Sequence, residues 1–110
     1  MQVKFKINYC TSDSVKIVGD FCSWNVLSCP TLSNEGNCVW SYTFTKPKDS
    51  MTYKFVIANG GSASRWENDP NRIFNLASLK SYASSSPSGT YQSCSYSKSG
   101  SLVTLNYSWK

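Results

Sequence analysis

The sequence predicts an all-β chain, an antiparallel β-sandwich of about seven strands, immunoglobulin-like and arranged as an open-sided barrel. Three observations carry this reading. Apolar and polar residues alternate with period two along several short runs. β-Branched and aromatic residues dominate those runs, and none shows a helical period. Turn residues separate the runs at short intervals, as in sandwiches.

The elements follow in order. Val3, Phe5, Ile7 and Tyr9 alternate with polar residues and mark a half-buried first strand. After a turn at residues 11–14, "SVKIVG" forms the second strand, ending at Gly19. Residues 20–37 are loop-rich, with Pro30 and an Asn34-Glu35-Gly36-Asn37 turn. "CVWSYTFT" sets Trp40, Tyr42 and Phe44 on one strand face. Residues 46–50 turn the chain into "MTYKFVIA", and "SLVTLNYSW" is the last strand. The Ser-rich stretch 78–100, with Pro87 and Gly89, reads as a long loop with room for a strand near 90–95. The whole of residues 1–110 is expected to form one domain with that loop inside it.

Composition bounds the chemistry. Lys and Arg total 11 against 6 acidic residues, a net charge of +5, and histidine is absent. The basic residues are scattered, so the excess reads mainly as a solubility feature rather than an anion-binding surface. Without histidine, Ser-His-Asp and Cys-His arrangements are excluded, as are the usual zinc patterns. Cys10, Cys22, Cys29, Cys38 and Cys94 are five, so at least one is unpaired or bonded to another chain. Their connectivity and the compartment stay open. "MQVKFKINY" alternates instead of presenting an apolar signal-peptide core, so the chain is expected to be cytoplasmic or a module cut from a secreted protein. No run is long enough to span a membrane.

The stretch from Tyr53 to Arg72, "YKFVIANGGSASRWENDPNR", does not read as core alone. Tyr53, Phe55 and Ile57 share one strand face, with Lys54 and Val56 on the other. Trp66 stands beside a polar turn, and Trp24 occupies another loop. A loop tryptophan most often folds back onto a core, so the pair gains meaning only if the fold brings them together.

These segments, taken in order, resemble a starch-binding domain, carbohydrate-binding module family twenty. "VKIVGDFCSWN" is similar to that family's strand, turn and tryptophan loop. "CVWSYTF" and "YKFV" are similar to two further strands, and "LVTLNYSWK" to the last one. "RWENDPNR" is similar to the most specific signature. The resemblance implies a noncatalytic module that binds α-1,4-glucans such as starch, glycogen, maltooligosaccharides or cyclodextrin. It implies carbohydrate contacts from Trp24, Lys54, Trp66, Glu67 and Asn71, no cofactor, and targeting of an attached or associated protein to the polysaccharide. The loops "TSDS" and "LSNEGN" lack the tyrosines of the family's second site, so one main site is implied and Trp40 reads as core.

Two other functions are weighed against this. Glu67 and Asp69 could suggest a glycosidase carboxylate pair, but next to Arg65 and Arg72 they read as turn and ion-pair residues. A basic β domain with exposed aromatics could bind single-stranded nucleic acid, yet no aromatic-basic cluster is present. The expected partner is therefore an α-glucan, with no nucleic acid, no membrane and a monomeric chain.

Overall fold

A computed structural model describes residues Met1–Lys110. Ten strands form two sheets packed face to face, with one helix between strands seven and eight. They are β1 (Gln2–Asn8), β2 (Ser14–Gly19), β3 (Ser33–Gly36), β4 (Val39–Phe44) and β5 (Ser50–Asn59). Then come β6 (Ser62–Trp66), β7 (Arg72–Asn75), α1 (Leu76–Ser85), β8 (Ser88–Tyr91), β9 (Cys94–Ser99) and β10 (Leu102–Ser108). One sheet runs β3-β4-β1-β10-β9-β8; the other runs β2-β5-β6, with β7 also paired to β5.

The expected sandwich is present, with ten strands instead of about seven and one departure from antiparallel pairing. β1 and β10 lie side by side in parallel, Val3 opposite Val103 and Ile7 opposite Tyr107. Parallel neighbours cannot be joined by a tight turn, so nearly the whole chain is the crossover between them.

The core fills the space between the sheets. Alternate residues Val3, Phe5 and Ile7 of β1 meet Met51, Tyr53, Phe55 and Ile57 of β5, with Val103 and Leu105 of β10 beside them. Two tyrosines in this apolar layer satisfy each other, Tyr53 and Tyr107 sharing a hydroxyl hydrogen bond of 2.6 Å. Trp40 is buried as expected and donates its indole N–H to Tyr9 O at 3.1 Å.

The Ser-rich stretch is not a loop. It contains most of α1 and the β8–β9 hairpin. Asn75 caps the helix, its side-chain oxygen accepting from Ser78 N at 2.8 Å. Leu79 and Ala83, four apart, turn the same helix side into the core. Tyr91 fixes the helix entry by donating to Asn75 O and accepting from Asn75 N, at 2.9 and 3.0 Å. Serine is a poor helix former, so packing and these tyrosine bonds hold the helix rather than its own propensity.

Four cysteines are paired: Cys10–Cys38 and Cys22–Cys29. Cys94 is a buried thiol that donates to Tyr91 O at 2.8 Å, and burial pushes its pKa up to about 11. A thiol held protonated in this way is a poor nucleophile.

Candidate functional site

The outer face of the β2-β5-β6-β7 sheet carries the site residues, and strand register explains how they meet. Directly opposed residues of antiparallel strands project from the same face. Lys54 and Val56 of β5 point away from the core, as the alternation predicts. Val18 of β2 lies opposite Lys54, Lys16 opposite Val56, and Trp66 of β6 is also opposite Val56. A row Lys16–Val56–Trp66 therefore crosses three strands.

Val56 belongs to a second, small apolar cluster with Val18 and Cys29. Cys22, Trp24, Val26 and Ala63 pack against it. Trp66, on an edge strand, thus lies opposite Val56, and Trp24, in a loop, packs on the cluster to which Val56 belongs. Trp66 remains 42% exposed, whereas Trp24 is half-buried.

The loop carrying Trp24 is tightly shaped. Gly19 ends β2 where a Cβ would lie 2.4 Å from Thr52 O, so only glycine permits that approach. A short 3-10 turn follows at Asp20–Cys22, and the Cys22–Cys29 bridge closes the loop. Ser23 and Trp24 both take left-handed backbone, with φ of 58° and 56°. For a bulky residue this conformation is an outlier that the surroundings must hold in place. Trp24 N donates to Gly19 O at 2.9 Å, and the disulfide packs beside the ring.

After Trp66 the chain folds around a buried carboxylate. Glu67 is 3% exposed. Its oxygens accept from Arg72 Nε at 2.8 Å and Arg72 Nη2 at 2.6 Å, and from the amides of Phe55 and Lys110, both at 2.9 Å. Arg72 also donates to Ser108 O at 2.7 Å and lies over the rings of Phe55 and Tyr107. Burial works against the charged guanidinium, but the Glu67 bonds and charge outweigh it and raise the Arg72 pKa. Every polar contact of the Glu67 carboxylate is internal, so its geometry is that of a residue organising the 66–72 turn.

Lys54 is not a solvated strand lysine. It is 9% exposed, and its ammonium donates to Glu67 O at 3.1 Å and to the Asp69 carboxylate. An ammonium has three donors, so one is left for a ligand. The hydrogen bond from Lys54, then its charge, hold the Asp69 carboxyl below the usual carboxylate range. Asn71 is exposed, makes no hydrogen bond within the protein, and lines an open groove beside β7.

The fold therefore sets Lys54 and Trp66 on one sheet face and packs Trp24 on the cluster of Val18, Cys29 and Val56 at that face. It sets Asn71 on the turn just beyond and withdraws Glu67 into the interior. Sequence reasoning missed two further side chains here. Lys16 lies in the tryptophan row with no salt bridge and no hydrogen bond, and its signal was a lysine inside "SVKIVG" on the face opposite Ile17. Leu27 is 73% exposed and rests on Gly61, where a Cβ would come within 2.8 Å of its Cδ1. No local pattern marked it.

Comparison with known proteins agrees with this architecture. The family model described as "Starch binding domain" matches residues 1–86. A glucoamylase of Neurospora crassa is 34% identical over 77 residues, which are 63% of this chain and 12% of that protein. The chain thus spans about an eighth of the curated relative's length. Among solved structures, the family 15 glycoside hydrolase glucoamylase of Hypocrea jecorina superposes over 100% of this chain and 17% of its own. Its TM-score is 0.68 at 18% identity. The gamma-CGTase of alkalophilic Bacillus clarkii superposes over 99% of this chain and 15% of its own, with TM-score 0.58 and 20% identity. Both structural likenesses concern the fold. With a family model covering most of its length, the chain belongs to the starch-binding domains, carbohydrate-binding module family twenty, a family of noncatalytic binding modules.

Proposed function

We propose that the protein binds α-1,4-glucan chains on the outer face of the β2-β5-β6-β7 sheet, with Trp24 and Trp66 as the stacking surface. The observation that carries this is the register: Trp66 lies opposite Val56, and Trp24 packs on the small cluster that contains Val56, although the two tryptophans are far apart in sequence. Glucose units present apolar C–H faces edged by hydroxyls. Indole rings offer area at low rotamer cost, and two at an angle can follow a curved chain. Lys54 supplies its third donor to a hydroxyl, and Asn71 both donates and accepts. Glu67 positions the turn through Arg72 and the Phe55 amide instead of touching sugar.

Starch and glycogen share this linkage, so either polymer fits the surface. The glucoamylase relative supports a role in holding an attached enzyme on an insoluble polymer, which raises local concentration without new chemistry.

The cations around the site argue against phosphate as the ligand. Lys54 is engaged by Asp69, Arg72 by Glu67, and Arg65 rests on Tyr9 and Trp109, which leaves the buried Lys16 as the one unpaired cation of the tryptophan row. Nucleic acid would need several free cations along a track, and binding would fall steeply with salt. The deciding experiment is retention on insoluble starch at low and high salt, with β-cyclodextrin as competitor. Salt-insensitive retention, released by the competitor and lost in Trp66→Ala, is the expected result. Retention of Trp66→Ala at the wild-type level would refute the platform.

A further inference from the structure

We infer that the open groove beside β7 is a second stretch of the same sugar-binding track, taking glucose units of a chain that extends past the tryptophans. This rests on the glucan reading above and adds a subsite to it. The groove has a volume of about 500 Å³, within the usual range for ligand clefts. Pro70, Asn71 and Ile73 line it together with Gln92 and Ser93 of the β8–β9 hairpin and with Lys110, whose ammonium reaches Pro70 O.

The chemistry of the lining selects the ligand. Asn71, Gln92 and Ser93 make no side-chain hydrogen bond to the protein, so amide and hydroxyl groups face solvent with their full capacity. Ile73 adds an apolar surface that is 62% exposed. Of the two cations, Arg72 is neutralised by Glu67 and also donates to Ser108 O, while the Lys110 ammonium donates to Pro70 O and keeps its charge. Three neutral polar side chains beside an exposed apolar patch suit an uncharged polyhydroxyl chain, with the Lys110 ammonium as a further donor to its hydroxyls.

Register joins the groove to the platform. Ile73 lies opposite Thr52, and Trp66 opposite Val56, so both project from the outer face along the same edge of β5. Four residues of strand separate those two positions, roughly 14 Å at the usual rise. Asn71, on the turn between them, lines the groove itself.

The hairpin tip is itself unusual. Gln92 and Ser93 form the two-residue turn between β8 and β9 with φ of 44° and 67°. Such turns favour Asn-Gly or Gly-Gly, because both central residues are left-handed. Glycine would relieve the backbone and would also strip the groove of two polar side chains. Both residues lie beyond the 86 matched by the family model.

The test measures affinity for maltotriose and for maltoheptaose in the wild type and in the double variant Q92G/S93G. In the wild type the longer sugar should bind more tightly. In the variant, maltotriose affinity should be unchanged. The gain from the longer chain should shrink by about threefold to tenfold, the worth of one or two hydrogen bonds. Amide resonances of residues 73 and 92–93 should shift on adding maltoheptaose to the wild type but not on adding maltotriose. An unchanged length dependence in the variant, with those resonances unmoved, would overturn the groove subsite. Failure of the platform reading has a different signature, namely Trp66→Ala binding both sugars like the wild type.

Discussion

The two faces of β5 follow the same alternation and serve different ends. Inward, Met51, Tyr53, Phe55 and Ile57 are all but fully buried against the other sheet, and their chemistry ends there. Outward, Val56 and Lys54 are nearly as well covered, but by a disulfide-closed loop and an edge strand. Depth of burial therefore does not separate core from site. The covering material differs: a whole sheet on one side, and on the other a thin layer that carries the exposed Trp66, the half-buried Trp24 and the 67–72 turn.

The comparison breaks most visibly at the joint between the faces. Glu67→Ala leaves the Arg72 guanidinium buried without its partner and orphans the amides of Phe55 and Lys110. A cost of about 3–5 kcal/mol is expected, read as a large fall in the denaturation midpoint. A stability loss well under 1 kcal/mol would show that Glu67 does not organise this turn.

The next effect lies on the outer face alone. Trp66→Ala should lower glucan affinity on the order of thirtyfold or more, the loss of a hot-spot aromatic. Its exposed ring gives little stability, so the melting curve should scarcely move. Trp24→Ala should lower affinity similarly while also costing about 1 kcal/mol of stability, because that ring is half-buried. Equal stability for the two variants would contradict their different burial.

A smaller effect sharpens the view of the covering loop. The double variant Cys22→Ser with Cys29→Ser frees the loop that holds Trp24 in left-handed backbone. Affinity measured by calorimetry should fall severalfold in this folded variant, with a more adverse binding entropy as the loop is ordered on the ligand. Unchanged affinity would mean that packing on Val18 and Val56 suffices to fix the ring.

The smallest effect is electrostatic. Asp69 is exposed, and its carboxyl is depressed by the Lys54 hydrogen bond and charge. A depressed carboxylate contributes above its unfolded value, and the contribution is lost as pH falls through the lower native value. Binding should therefore be flat through neutral pH and weaken slightly only in acid. Asp69→Asn should flatten that acid limb. An Asp69→Asn profile identical to the wild type would remove this ion pair from the account.

How much was legible follows the range of each interaction. The β5 alternation placed Lys54 and Val56 opposite Tyr53 and Phe55 correctly, because strand geometry is local. The same locality failed for residues 76–99. In α1 the serines carry little helical signal, and Leu79 and Ala83 are too few to set a period. What holds that helix is Tyr91 and Tyr96, which reach it from strands later in the chain. Glu67 was grouped with sugar contacts because the signature contains it, yet its partners include Lys110, far along the chain.

Local sequence was enough for the sandwich class, for the inward faces of β1, β4 and β5, and for naming Trp24, Trp66 and Lys54 as candidates. Alternation and side-chain chemistry are properties of neighbours, so they survive in one dimension. Packing and register, by contrast, bring Trp66 opposite Val56 and Trp24 onto that valine's cluster, commit two donors of Lys54 to the turn, and make Glu67 interior. They also bring a hairpin tip from a Ser-rich stretch to the groove that Asn71 lines. Each of these depends on residues tens of positions apart sharing a few ångströms, which register and packing fix and local sequence does not.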